Sequence, residues 1–222
     1  MYDNRTFGSE YAIARERMVH GQLIARDIQD QNVLEAMRKV PRHEFVPTEL
    51  RNRAYGDHPL PIGQSQTISQ PYMVALMTEL LQLETKNKVL EVGTGSGYQA
   101  AILAELVIRV FSVERVPELA SRARKLLDGL GYSNVIIRTS DGTLGWKEFA
   151  PFDRIIVTAG APDVPQALLE QLADKGRMVI PIGNAFMQTL AVVEKRGKRI
   201  VKKEKCGCTF VPLIGEQGWE NG

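Results

Sequence analysis

Apolar positions change their period along the chain, and the change divides it in two. In the first part they recur at helical spacing. "QNVLEAMRKV" (31–40) follows Asp30, whose short carboxylate suits a helix N-cap, and stops before Pro41; the whole stretch 10–40 reads as helical. "QPYMVALMTELLQL" (70–83) reads as another helix, with Ser69 placed as its N-cap and Pro71 in its first turn. Between them, "RNRAYGDHPLPIGQSQTIS" (51–69) is rich in Gly, Pro and polar residues and keeps no period, which predicts a long loop. Ordered loops of that length often carry function.

From Lys88 onward, short β-branched runs alternate with helical stretches. The runs are "VLEVG" (89–93), "VFSVE" (110–114), "VIIRTS" (135–140), "DRIIVTA" (153–159) and "RMVIPI" (177–182). Such alternation predicts a parallel sheet with crossover helices. The pattern then changes again: "TLAVVEKRGKRIVKKEK" (189–205) holds two alternating runs around "KRGKR", an antiparallel hairpin. The expected fold class is therefore α/β, a doubly wound, mostly parallel sheet ending in an antiparallel hairpin, with N-terminal helices and a functional loop in front. No repeat, low-complexity tract or Gly/Ser linker interrupts it. Residues 1–222 are expected to form a single domain, with 1–85 supplying helices and loop and 86–222 the α/β core.

Composition narrows the function classes only slightly. A hydrophobic fraction of 44%, a charged fraction of 24% and a net charge of +2 are those of an ordinary soluble protein and carry no signature of a nucleic-acid partner. The N-terminal stretch is charged throughout and lacks the apolar run of a signal peptide or membrane span, so the cytoplasm is the expected location. Cys206 and Cys208, the only cysteines, fall on one face if their segment is a strand, as small packed residues. His20, His43 and His58 are scattered, and no metal is expected.

The candidate chemistry lies in "VLEVGTGSGY" (89–98). Gly93, Gly95 and Gly97 occupy the turn between an apolar strand and a helix, where residues without Cβ can take positive φ and let a ligand approach the backbone. Their G-x-G-x-G spacing differs from the dinucleotide G-x-G-x-x-G, since Tyr98 stands where the last glycine would fall. Two carboxylates separate the alternatives further. Glu114 ends the second strand of the core, where it can accept hydrogen bonds from both hydroxyls of a ribose; Asp141 follows the third, beside Gly142. Two acids there would repel a pyrophosphate but suit a ligand with a ribose, an amino-bearing adenine and a cationic centre. S-adenosylmethionine has all three, and a methyltransferase becomes the leading reading.

Several further stretches carry a resemblance. "VPRHEFVP" (40–47), "LPIGQSQTISQPYMVALMTELL" (60–81), "VLEVGTGSGYQAAILA" (89–104), "VFSVER" (110–115), "SDG" (140–142), "PFDRIIVTAGAP" (151–162) and "FVPL" (210–213) together resemble the bacterial protein-L-isoaspartate O-methyltransferases, a class I S-adenosylmethionine-dependent family. The glycine turn is common to many methyltransferases; "GQSQTISQPYM" and "FVPL", in this order around it, are far more diagnostic. The resemblance implies methyl transfer to the α-carboxyl of L-isoaspartyl residues in damaged proteins and peptides, with S-adenosylhomocysteine as product and a succinimide on the route to repair. It implies Ser69 as the active-site hydroxyl. Cofactor contacts are implied for Gln66, Thr67, Ile68, Ser69, Glu91, Gly93, Thr94, Gly95, Glu114, Asp141 and Gly142. "FVPL" could pair its backbone with an extended substrate peptide. The chain is expected to act as a monomer on isoaspartyl proteins, without nucleic acid or membrane.

Other readings fit less of the chain. Seven basic residues between Lys195 and Lys205 could suggest nucleic acid, but no aromatic residue is interleaved to stack on bases, and alternation puts lysines on a solvated hairpin face. "TAGAP" after the fourth strand lacks the Asn/Asp-Pro-Pro-aromatic sequence of amino-group methylases of bases. A small-molecule methyltransferase and a binding protein with a disused cofactor pocket are the remaining alternatives.

Overall fold

The computed structural model describes residues 4–220. It begins with α1 (Asn4–Met18), which runs on through a π-helical and a 3₁₀ stretch to Arg26, and α2 (Gln31–Lys39). The break between them lies at Asp27, in the left-handed region with φ 64°. Asp30 then caps α2 as its sequence context predicts, its carboxylate accepting the backbone N–H groups of Asn32 and Val33.

The stretch expected as a loop is more ordered than its composition suggests. A 3₁₀ segment (Thr48–Arg53) leads into an antiparallel hairpin of β1 (Leu60–Gly63) and β2 (Gln66–Ile68). Leu60, Ile62 and Ile68 anchor it in the core. At its tip Gln64 and Ser65 both take positive φ, 53° and 54°, without the Asn or Gly that marks such turns in a sequence. The next helix, α3 (Pro71–Leu81), is capped at Gln70 and not at Ser69. Proline at the first helical position presets its own φ and drives the residue before it into an extended conformation, so Gln70 (φ −49°, ψ 138°) becomes the cap. Ser69 stands one residue outside the helix.

The remaining elements are β3 (Lys88–Val92), α4 (Tyr98–Leu106), β4 (Arg109–Glu114), α5 (Pro117–Gly129), β5 (Val135–Thr139), β6 (Phe152–Val157), α6 (Gln166–Gln171), β7 (Leu172–Gly183), β8 (Gln188–Arg196) and β9 (Arg199–Cys208). They form a seven-stranded sheet in the order β5-β4-β3-β6-β7-β8-β9. Pairing is parallel from β5 to β7 and antiparallel across β7, β8 and β9. β7 starts earlier than its apolar run because "LADKG" joins it through an irregular register, Phe152 facing Leu172 and Arg154 facing Arg177. Cys206 and Cys208, half-buried, pack against the same core from β9.

Side-chain alternation sorts the strands onto two cores. Val89, Val110, Val135 and Ile156 face one, shared with α2, α3 and α4, whereas Leu90, Phe111, Ile155 and Met178 face the other, with Trp146, Phe152 and Leu168. Chain order runs outward from β3 through β4 to β5 and then returns to β6 on its other side, so strand order reverses beside β3 and a crevice opens at its carboxyl end. At the opposite end, sheet cations hold the carbonyl ends of helices. Arg154 Nε donates to Leu81 O at 2.7 Å and Nη2 to Gln82 O at 3.1 Å, Arg177 Nη1 to Leu80 O at 3.1 Å, and Lys195 Nζ to Leu172 O at 2.7 Å. These cations complement both the orphan carbonyls and the negative dipole end of each helix.

Arg154→Met, which keeps the aliphatic stem and removes the donors, is expected to lower stability by about 1.5–3 kcal/mol. Urea unfolding would read this as a lower midpoint at unchanged m-value.

Candidate active site

The turn after β3 is built from three left-handed glycines, Gly93, Gly95 and Gly97, at φ 99°, 54° and 88°. Side chains rarely tolerate these angles. Neighbours also crowd the first of them: a Cβ on Gly93 would lie 2.4 Å from Thr158 Oγ1. That hydroxyl, just beyond β6, donates to the carbonyls of Gly93 (2.7 Å) and Val92 (3.1 Å). From the other side, Glu114 at the end of β4 accepts the N–H of Gly95 on Oε2 (2.8 Å) and of Val116 on Oε1 (2.9 Å). The turn is thus held between the ends of both neighbouring strands, and the Glu114 carboxylate is aimed across it.

A cleft opens over this turn. Around it meet Gln66–Ser69 from the hairpin, Gly93–Ser96 with Tyr98 and Gln99 of α4, Glu114–Val116, Thr158 and Ala159 after β6, and the C-terminal stretch Val211–Ile214, with Val74 and Met77 of α3 and Gly142 also in the wall. Every site residue expected from the sequence lines it except Glu91 and Asp141. Gly142 lines it, but its lack of a side chain also serves packing, since a Cβ there would lie 2.6 Å from Val92 Cγ1. Ser69 presents a hydroxyl with no hydrogen bond among the described residues, while its carbonyl accepts Arg42 Nη2 at 2.7 Å. No side chain caps α3, so that hydroxyl is not used on the helix.

Asp141 borders an adjoining cleft with Arg115, Ile214 and Trp219. Its Oδ1 accepts Thr143 N (2.8 Å) and Thr143 Oγ1 (2.7 Å), and its Oδ2 accepts Glu216 N (2.8 Å). Together with Trp219 Nε1, which donates to Gly160 O at 3.0 Å, these bonds hold the C-terminal segment so that Leu213 and Ile214 form a wall of the main cleft.

Glu91 lies beneath the turn with no exposed surface. Ser112 Oγ donates to its Oε2 and also contacts Thr94 Oγ1 at 2.5 Å, while Oε1 has no partner among the described residues. Burial pushes its pKa up to about 8; the Ser112 hydrogen bond opposes the rise, and nearby Glu114 adds to it. At neutral pH it is mostly an uncharged acid in a buried network that orients the Thr94 hydroxyl.

Sequence reasoning missed Thr158, Arg115, Val116, Tyr98 and Gln99, all in the cleft wall. Thr158 had a usable signal, because it directly follows β6, the strand beside the point where strand order reverses. Among the described residues the lining contains one cation, Arg115, and no His, Cys or Lys. Such a cleft can hold a polar ligand by a carboxylate, a hydroxyl and backbone groups, and it can direct an acceptor that is already ionised. Its carboxylate, Glu114, is engaged on both oxygens by backbone N–H groups.

Comparison with known proteins agrees with this geometry. The family model described as protein-L-isoaspartate(D-aspartate) O-methyltransferase matches residues 14–218. Protein-L-isoaspartate O-methyltransferase 1 of Syntrophobacter fumaroxidans is 58% identical over 207 residues, 93% of this chain and 97% of the relative. Protein-L-isoaspartate O-methyltransferase of Geobacter metallireducens is 59% identical over 210 residues, 94% of this chain and 97% of the relative. Among solved structures, a protein-L-isoaspartate O-methyltransferase from Plasmodium falciparum in complex with S-adenosyl-L-homocysteine is similar with a TM-score of 0.79 at 27% identity, over 90% of this chain and 98% of that one.

The raised pKa of Glu91 makes stability depend on pH with a defined sign. From the ordinary value of 4.5 up to about 8, the folded chain holds a proton there that the unfolded chain has lost. Stability therefore falls as pH rises across that window and levels off above it. Glu91→Gln cannot lose the proton. Denaturant unfolding of both proteins without ligand is expected to show the variant gaining on the wild type from about pH 5 to about pH 8, by at most about 1.4 kcal/mol per pH unit.

Proposed function

The chain belongs to the protein-L-isoaspartate(D-aspartate) O-methyltransferase family, and on that premise we propose how this cleft works. The enzyme transfers a methyl group from S-adenosylmethionine to isoaspartyl residues of proteins. The acceptor is the α-carboxyl of the isoaspartyl residue, in damaged proteins and peptides, and the ester starts repair through a succinimide. The observation that carries this reading is the convergence in one cleft of the Ser69 hydroxyl, the glycine turn and the Glu114 carboxylate.

The residues present fit the cofactor. Each Glu114 oxygen accepts one backbone N–H, and a carboxylate has roughly four acceptor positions, so room remains for both hydroxyls of a ribose. Gly93, Thr94 and Gly95 border the methionine part, with Glu91 acting on Thr94 through Ser112. Asp141 and Gly142 border the adenine; Asp141 Oδ2, with one partner in Glu216 N, keeps an acceptor position for an amino group. Gln66, Thr67 and Ile68 complete the cleft on the hairpin side. When bound, S-adenosylmethionine supplies a methyl group on a cationic sulfur and departs as neutral S-adenosylhomocysteine.

Ser69 serves the acceptor. A carboxylate with an ordinary pKa of about 4 is already ionised at neutral pH, so no proton need be removed from it. Its attack joins a negative and a positive charge, and charge disperses as the transition state forms. A cation clamped on the reacting oxygen would favour the ground state more than the transition state. One neutral hydroxyl can orient the oxygen without that penalty. Val211–Leu213 borders the same cleft; the Val211 carbonyl and Leu213 N–H are bonded to Gly160, and the Val211 N–H and Pro212 carbonyl are the groups left to pair with an extended peptide, a grip that reads no particular side chain.

The enzyme acts as a monomer in the cytoplasm without nucleic acid or membrane. In support, no described helix is long and apolar enough to cross a membrane, and the basic stretch 195–205 contributes nothing to the cleft.

Two substitutions separate the roles. Ser69→Ala is expected to lower methyl transfer to an isoaspartyl peptide by ~100-fold, with affinity for S-adenosylhomocysteine, measured by calorimetric titration, nearly unchanged. Full turnover would remove Ser69 from the site. Glu114→Ala is expected to weaken that affinity by about 1.5–3 kcal/mol per lost charge-assisted hydrogen bond. Wild-type affinity would remove Glu114 from the ribose contact.

A further inference from the structure

We propose that Arg42 is a positioning residue for Ser69: it fixes the segment that carries the hydroxyl by holding both ends of the hairpin stretch to the wall of the cofactor cleft. The proposal rests on the reading of Ser69 given above. Arg42 lies in a 3₁₀ segment (Arg42–Phe45) after α2 and has no exposed surface. Among the described residues it has no carboxylate partner. Its Nε donates to Ala54 O at 2.7 Å and its Nη2 to Ser69 O at 2.7 Å. Nη1 has no hydrogen-bond partner among the described residues, and the guanidinium carbon lies 4.8 Å from the centre of the Tyr98 ring. Tyr98 opens α4 immediately after the glycine turn and lines the cleft.

Burying a cation without a counterion is costly, and a well-packed apolar side chain would fill the same volume more cheaply. What an apolar residue could not do is grip two carbonyls at once. Ala54 and Ser69 bracket β1 and β2, so one planar donor fork closes the stretch that contains Gln66–Ser69. The Tyr98 face then ties that fork to the helix on the cofactor side of the cleft. Arg42 in this way sets the distance between the hydroxyl and the glycine turn without touching either ligand. A lysine has charge and reach but no fork, so Arg42→Lys should leave Ser69 present and less well placed.

A double-mutant cycle on the full chain tests this, using an isoaspartyl peptide and S-adenosylmethionine. Arg42→Lys is expected to lower kcat about tenfold, with the affinity for S-adenosylhomocysteine held within about twofold. In the Ser69→Ala background the same change should have almost no effect, because the group it positions is gone. Equal losses in both backgrounds, or no loss in the first, would overturn the proposal. Ser69→Ala at full turnover would instead overturn the role of Ser69 itself, and the proposal with it. If Arg42→Lys does not fold, Arg42→Ala assayed with added guanidinium ion gives an independent readout. Recovery of turnover only when Ser69 is present is expected, and equal recovery in Arg42→Ala/Ser69→Ala would overturn the proposal.

Discussion

The grip of two strand ends on the turn after β3 is the constraint from which the rest of the site follows. Left-handed φ at Gly93, Gly95 and Gly97 lets the chain reverse tightly enough for Glu114 to reach the Gly95 N–H and for Thr158 to reach the Gly93 carbonyl. Both contacts come from strands that flank β3 in the parallel sheet, so sheet register is transmitted directly into turn geometry. The carboxylate is thereby fixed before any ligand arrives. This preorganisation suits the turn to the ribose and cationic sulfur proposed for it.

Charge in the site is arranged with restraint. Glu114 presents a carboxylate beside the cleft, and Glu91, directly beneath, is kept largely neutral by burial. Two full negative charges so close together would repel each other, and the buried one would be poorly solvated. On the acceptor side, the hydroxyl of Ser69 is neutral and Arg42, the nearby cation, is turned onto backbone carbonyls. Among the described residues the hairpin side of the cleft, Gln66–Ser69, thus adds no cation of its own, which suits the proposed reaction, whose transition state disperses charge.

Features that depend on local chemistry were legible in the sequence. Asp30 as a cap, the strand-helix alternation from Lys88, the turn glycines and the terminal hairpin all follow from period and residue type. Features that depend on competition or on tertiary partners were not. Ser69 was expected to cap α3, and Pro71 moves the cap to Gln70 through sterics that act on the residue before it. The hairpin at 60–68 escaped notice because its strands are short and its turn uses Gln64 and Ser65. Asp141 reads as a ligand contact by position, yet its oxygens also hold the C-terminal segment, a partnership across 75 residues of sequence that no local pattern announces. Arg42 looked like one letter of a motif; only the fold shows which carbonyls it holds.

The most direct test of the central claim uses two synthetic peptides identical except for isoaspartate or normal aspartate at one position. Each would be incubated with the enzyme and methyl-labelled S-adenosylmethionine, and base-labile label would be counted. Label on the isoaspartyl peptide alone is the expected result. Equal label on both peptides, or label on neither with S-adenosylhomocysteine binding intact, would contradict it.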